Sequence, residues 1–284
     1  YRRQRQMCIR DRDIIGFTAT SDTKNDSTSA SNAILKAKDG SDVTIDVSKA
    51  TGSSGAFKLV GGTGKDTLTG GAGADIITGG DDIDTIAGGA ANDIISGGAG
   101  NDIITGGDGN DIITIDTNSD KVTDLGGSTG NDQDVIVVNA GATLNAVNII
   151  GFTATNSTQN KSTGASNAVL NAKDGQNVTI DVSKATGAFN LVGGTGLDTL
   201  TGAGGNDTIT GGGEADTIEG NAGVDTIDGG IGNDIITGGD GADIITIGSG
   251  TDKIKDLGGT SGTDKDVVII NGSAVLNALD IVGF

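Results

Sequence analysis

Gly61-Gly62-Thr63-Gly64-Lys65-Asp66-Thr67-Leu68-Thr69 decides the fold, because the same nine-residue pattern follows it through Thr114 and returns from Gly193 to Thr246. Asp holds the sixth place of every repeat: Asp66, Asp75, Asp84, Asp93, Asp102 and Asp111, then Asp198, Asp207, Asp216, Asp225, Asp234 and Asp243. An aliphatic residue stands two places later, from Leu68 to Ile113 and from Leu200 to Ile245. Side chains alternate faces along a strand, so each x-aliphatic-x triplet predicts a short strand with one side chain inward and its neighbours outward. The six residues before it then form a tight turn, which glycine suits because it reaches positive φ and lets a ligand approach the backbone. The chain has no Pro, in keeping with a ladder that uses its backbone N–H groups. Two half-coils close one turn of a solenoid, which stacks residues 18 apart: Asp66, Asp84 and Asp102 in one column, Asp75, Asp93 and Asp111 in the other.

Stacked strands lie about 4.7 to 4.9 Å apart, and carboxylates at that spacing repel by roughly 1 kcal/mol per neighbour even in water. A cation between them is therefore expected. Calcium takes six to eight oxygens, carboxylate or carbonyl, which Asp columns and glycine turns can supply. Residues 61–114 carry nine Asp and Lys65, and residues 193–246 eight Asp and two Glu, so about four divalent ions would nearly neutralise each block. A fifth belongs to the degenerate seventh repeat, which keeps Asp120 with Val122, or Asp252 with Ile254. Beside the twelve Asp, the candidate ligands are turn glycines: Gly62, Gly64, Gly71, Gly73, Gly98, Gly100, Gly107 and Gly109, then Gly194, Gly196, Gly230, Gly232, Gly239 and Gly241. So few large apolar side chains cannot order such a block alone, and folding coupled to calcium is expected.

The twelve repeats in register resemble the hemolysin-type calcium-binding nonapeptide of the RTX family, glycine-glycine-x-glycine-x-aspartate-x-aliphatic-x. What the resemblance implies is an all-β fold, a parallel β-roll or β-solenoid with two nonapeptides per coil and Ca2+ between the turns. The rolls are expected over residues 61–123 and 193–255. Asp82, Ala91 and Glu214 replace the glycine at place four, and Ala203 and Asn221 the one at place two. Coordination at these turns is expected to be distorted, unless Asp82 and Glu214 add ligands.

The rolls sit in a duplicated unit. Ile14-Ile15-Gly16-Phe17-Thr18-Ala19-Thr20 returns as Ile149-Ile150-Gly151-Phe152-Thr153-Ala154-Thr155, and Ile281-Val282-Gly283-Phe284 opens a third copy. The units are read as residues 13–148 and 149–280, with 281–284 the start of a third, so the chain is expected to be a fragment of a longer array. Residues 1–12 hold Tyr1, Met7, Cys8 and every Arg of the chain; the string from Arg2 to Arg12 resembles a translated sequencing adapter and is set aside.

Val43 to Val47 and Phe57 to Val60, with their copies Val178 to Val182 and Phe189 to Val192, alternate like strands that prolong or cap the solenoid. Ala33 to Ala37 fits helix or strand, Thr18 to Ser31 reads as an exposed loop, and Val135–Val138 and Val267–Ile270 read as buried strands. The outward place seven ends each block with Ile, at Ile103 and Ile112 and at Ile235 and Ile244, an exposed strip that would invite association. The downstream segments are expected to fold back over Ile112 and Ile244. Lys65 followed by Asp66 breaks the phosphate-loop pattern, and residues 116–120 lack the glycine and glutamate of an EF-hand, so they are taken as a degenerate terminal coil. Thr at place nine is read as ordinary β-propensity, not an ice-binding array.

Composition excludes several functions. With no His and one Cys there is no Ser-His-Asp or Cys-His pair, no imidazole or thiolate zinc site and no disulfide framework. A net charge of -20 opposes binding to nucleic acid and to anionic membranes, and no apolar run is long enough to insert in a bilayer. The expected partners are calcium ions and neighbouring repeat units. The chain is accordingly read as a non-enzymatic, calcium-folded spacer of a secreted or cell-surface bacterial adhesin or S-layer-type protein. The alternative is a calcium-binding accessory region of a secreted RTX protease or lipase.

Overall fold

The computed structural model describes residues 14–18, 33–50, 55–125, 132–162, 168–257 and 264–281. Residues 1–12, and nearly all of the loop read over Thr18 to Ser31, lie outside the described residues. Every described strand pairing is parallel, and the strands form three sheets. One face of the solenoid is a 13-stranded sheet that runs without a break through both units. The other face consists of two seven-stranded sheets, the first of which takes its last strand, Gln159–Asn160, from the second unit.

The stacking step within the blocks is the expected 18 residues: Thr67 pairs with Thr85 and Thr85 with Ile103 on one face, Ile76 with Ile94 and Ile94 with Ile112 on the other. The aliphatic residues at place eight, from Leu68 to Ile113 and from Leu200 to Ile245, are all buried in one continuous core. The strands are longer than the triplet predicted. Ile76–Asp81, Ile94–Ala99 and Ile235–Asp240 each span six residues, running through places seven to nine and on through the first three places of the next repeat. The ladder drops the place-one glycine and resumes at place two, where Gly80 pairs with Gly98. The turn therefore shrinks to places four to six, and the interior receives places six, eight and one.

The segments outside the nonapeptides prolong the solenoid. Thr44–Asp46 pairs with Thr67–Thr69, Lys58–Thr63 with Ile76–Asp81, and Ile34–Lys36, which sequence left open between helix and strand, is a rung beneath Lys58–Thr63. The expected fold-back is not found. Val135–Val138 stacks on Ile112–Ile115 as the next rung, with Ile112 beside Val135, and Ile244 beside Val267 in the same way. Ile112 and Ile244 stay 40% and 39% exposed, because a strand added in register covers only the edge of its neighbour's outward side chains. Nor are the added rungs buried throughout. Ile136 and Val138 point inward while Val135 and Val137 are half-buried, and in the last rung of the long sheet Val267, Ile269 and Ile270 are exposed.

Among the described residues the first unit has thirteen strands, from Phe17–Thr18 to Thr143–Ile149, and the second fourteen, from Gly151–Thr153 to Val275–Ile281. At the junction two successive strands, Gly151–Thr153 and Gln159–Asn160, both lie opposite the long sheet, so the second unit continues with its faces exchanged. Thr67–Thr69 lies in the long sheet, whereas its copy Thr199–Thr201 lies in a short one. At the junction Gly151–Thr153 pairs with Thr179–Asp181 and Gln159–Asn160 with the older rung Val135–Val138, while Phe152 and Phe189 are fully buried. The alternation is testable within one strand. Ile95→Ala should destabilise the folded chain by about 2 to 5 kcal/mol in urea unfolding, and the half-exposed Ile94→Ala by well under 1 kcal/mol; equal losses would contradict the inward and outward assignment.

Candidate metal centre

The turn directs the place-six Asp inward, and all twelve are buried, as are Asp120 and Asp252 of the degenerate seventh repeats. The columns are not bare carboxylates facing one another. Each Oδ1 accepts a hydrogen bond from the backbone N–H one coil earlier: Asp66 donates to Asp84 at 2.7 Å, Asp84 to Asp102 at 2.8 Å and Asp102 to Asp120 at 3.0 Å. The other column runs from Asp75 to Asp93 at 2.6 Å, on to Asp111 at 2.8 Å, and ends on Asp134 at 2.8 Å. The second block repeats both chains, through Asp198, Asp216, Asp234 and Asp252 and through Asp207, Asp225, Asp243 and Asp266.

This leaves the second oxygen. Oδ2 is buried without a hydrogen-bond partner in Asp66, Asp84, Asp93, Asp102, Asp111 and Asp120, and in Asp198, Asp216, Asp225, Asp234, Asp243 and Asp252. Burying a carboxylate oxygen without a partner is costly. In the stacked turns a main-chain carbonyl lies close by. A Cβ on Gly79 would meet Asp84 Oδ2 at 2.3 Å and the Gly97 carbonyl oxygen at 2.5 Å; on Gly88 it would meet Asp93 Oδ2 and the Gly106 oxygen, each at 2.4 Å. Gly211 and Gly220 are closed in the same way by Asp216 with Gly229 and by Asp225 with Gly238. The place-one glycine is therefore obligatory, and its carbonyl from the next coil stands beside the orphaned oxygen. The sequence pattern alone had not singled out these carbonyls.

The place-two and place-four glycines named from sequence serve the close stacking of the turns. Gly62, Gly98, Gly107, Gly194, Gly230 and Gly239 at place two, and Gly64, Gly100, Gly109, Gly232 and Gly241 at place four, have positive φ. At Gly80 a Cβ would come within 1.9 Å of the Gly62 carbonyl oxygen, so the backbones touch. The substitutions at these places do not distort the turn. Asp82, Ala91, Glu214 and Asn221 keep φ at 73° or 74°, a conformation costing roughly 1 to 2 kcal/mol for an L residue. Asp82 and Glu214 are exposed; Asp82 Oδ2 accepts a hydrogen bond from the Gly64 N–H at 3.3 Å, and the two carboxylates help to raise the buried Asp84 and Asp216. Gly71 and Gly73, with the counterparts Ala203 and Gly205, lack positive φ, and Gly196 lacks it too.

A second ladder went unnoticed in the sequence. Asn92 Oδ1 accepts from the Asn110 N–H at 3.0 Å, Asn101 from Ser119 at 3.1 Å, Asn206 from Val224 at 2.9 Å and Asn233 from Thr251 at 2.8 Å. These place-five side chains tie each turn to the following coil from outside, while the Asp side chains tie it to the preceding one from within. Spacing by 18 was the signal. In the EF-hand-like stretch, Asp116 accepts from Ser96 and Asn139, and Ser119–Val122 is a rung of the long sheet, as a degenerate coil requires.

Among the described residues no three acidic side chains converge as a metal cluster. A cation beside Oδ2 would therefore draw on one or two carboxylates and complete its shell with main-chain carbonyls and water. That oxygen-only donor set fits Ca2+ and offers nothing to a metal that prefers nitrogen or sulfur. The family model described as RTX calcium-binding nonapeptide repeat (4 copies) matches residues 51–86, 78–113, 190–218 and 219–254. The two blocks are RTX calcium-binding repeats. No curated protein matches the chain. When bound, calcium would supply the positive charge that the RTX turns lack.

Burial governs the charge state of these carboxyls. Desolvation, aided by neighbouring carboxylates and opposed by the backbone N–H bond, pushes Asp93 up to about 8 and Asp84, Asp111, Asp120, Asp216 and Asp225 up to about 7. Asp75, Asp207, Asp234 and Asp243 rise to about 6. The metal-free roll therefore binds protons that the unfolded chain releases. Its stability is fullest below the ordinary carboxyl value near 4 and is lost as pH rises through 6 to 8. Metal-free protein titrated from pH 8 to pH 4 should gain β signal in far-UV circular dichroism, and calcium should lose its advantage over the same range. A metal-free β signal that falls on acidification would contradict this ordering.

Proposed function

We propose that the chain is a calcium-folded structural spacer from a large secreted or surface-attached bacterial protein of the adhesin or S-layer type, and that it performs no catalysis of its own. The observation that carries this reading is the 13-stranded sheet, which crosses the junction between the units without a break. Two duplicated units joined in this way form one rod, and a rod is what a spacer needs. Thirteen rungs at about 4.8 Å extend close to 60 Å. An accessory region of a secreted enzyme could use similar rolls, but whole-unit duplication fused into a single stack favours the spacer.

Calcium is the proposed trigger. Exported unfolded at low calcium, the acidic chain would meet millimolar calcium outside the cell and fold there. Residues 13–284 titrated with calcium should gain β signal cooperatively at roughly 10⁻⁴ to 10⁻³ M, and magnesium, with its smaller octahedral shell, should substitute poorly. In small-angle scattering the radius of gyration should fall from roughly 60 Å to roughly 20 Å, with a distance distribution skewed as for a rod. Full β structure in excess chelator at neutral pH would refute the calcium-folded reading, and a bent or two-bodied scattering profile would refute the spacer.

A further inference from the structure

The second turn of each block departs from the others in the same way twice. Asp75 Oδ2 accepts a hydrogen bond from the Gly71 N–H of its own turn at 2.7 Å, and Asp207 Oδ2 accepts from the Ala203 N–H at 2.7 Å. Their Oδ1 atoms are also engaged, by the N–H groups of Phe57 and Phe189, each at 2.6 Å. These are the two place-six Asp residues that are not left with a buried, partnerless Oδ2. The backbone differs as well, with positive φ at neither Gly71 nor Gly73 and at neither Ala203 nor Gly205. The preceding strands Thr67–Thr69 and Thr199–Thr201 stop at three residues, without the extension through places one to three seen in Ile76–Asp81.

The cause lies one coil earlier. These turns stack on no nonapeptide turn, and neither do those of Asp66 and Asp198, but the latter rest on loops that bond them from below, with the Lys65 N–H on Asp42 Oδ1 and the Leu197 N–H on Asn177 Oδ1. Gly71 faces the Val47 carbonyl at 3.2 Å from an added Cβ, a looser approach than the 1.9 Å at Gly80. Without such a loop bonding it from below, the chain closes on itself and points an N–H at the carboxylate oxygen that other turns leave open. An N–H directed at that oxygen occupies the place where a cation would approach it.

We infer that Asp75 and Asp207 hold no calcium ion, although the nonapeptide pattern marks them as ligands, and that each even column begins with a hydrogen-bonded starter turn whose first metal-bearing carboxylate is Asp93 or Asp225. The inference rests on the calcium reading of the remaining turns. It also explains the alanine at place two of the second block, since Ala203 stands where no left-handed residue is needed.

The test is calcium stoichiometry, by equilibrium dialysis with metal analysis on residues 13–284. Asp93→Asn and Asp225→Asn should each lose one ion, whereas Asp75→Asn and Asp207→Asn should keep the full number while lowering the melting temperature of the calcium-loaded chain. Loss of an ion in Asp75→Asn equal to that in Asp93→Asn would overturn the inference. Should an Asp variant fail to fold, two glycine variants decide. Gly71→Ala should leave the calcium midpoint within about twofold of the parent, whereas Gly89→Ala, at φ 119° with a Cβ 2.2 Å from the Gly71 carbonyl oxygen, should raise it more than about tenfold. Equal shifts in both would also overturn it. A parent chain that binds no calcium would defeat the calcium reading itself, a result distinguishable from either.

Discussion

One buried carboxylate oxygen per coil and side is the constraint on which the rest of the roll depends. The strand ladder fixes the spacing between coils, and the inward turn buries the Asp, so its Oδ2 cannot reach water. The backbone N–H of the previous coil satisfies Oδ1 and aligns the column but leaves the charge in place. Only a proton or a cation removes that charge. The thin core of one aliphatic side chain per half-coil cannot offset it alone, which makes the fold conditional on its surroundings.

The same constraint explains the glycines better than loop flexibility does. At place one a side chain would strike the orphaned oxygen, and at Gly61, Gly79, Gly88, Gly193, Gly211 and Gly220 a carbonyl of the next coil as well, so glycine there keeps the cradle open. At places two and four the requirement is a left-handed backbone, which Asp82, Ala91, Glu214 and Asn221 also adopt. Where the requirement lapses, at Ala203, an ordinary residue stands with an ordinary backbone.

Much of this was legible in the sequence, because a nine-residue period leaves few ways to alternate side chains. The stacking step of 18, the two Asp columns and the inward aliphatic row follow from counting alone. Three features did not. Strand length was underestimated because glycine reads as a turn residue, yet here it continues a ladder through positive φ at Gly80 and Gly98. The fold-back over Ile112 and Ile244 was inferred from an aversion to exposed isoleucine, whereas Val135 and Val267 extend the same outward row. The self-closed turn at Asp75 carries the same letters as its neighbours in the first block, and only the segment on which it stacks sets it apart.

The junction between the units gives the duplication a geometric consequence. Because the successive strands Gly151–Thr153 and Gln159–Asn160 both lie opposite the long sheet, the side-chain pattern of the first roll reappears on the opposite face in the second unit. The outward row Ile76, Ile94, Ile112 and Val135 lies on the face opposite the long sheet, whereas Thr208, Thr226, Ile244 and Val267, its copy, lie on the long sheet itself. An apolar strip confined to one face along several units would offer a continuous edge for lateral association. The exchange of faces interrupts that strip at the junction of the two units, and Thr208 and Thr226 in place of Ile76 and Ile94 shorten it further in the second unit. The exchange of faces leaves the ladder of backbone hydrogen bonds in the long sheet unbroken, since those bonds depend on register and not on which side chain is presented.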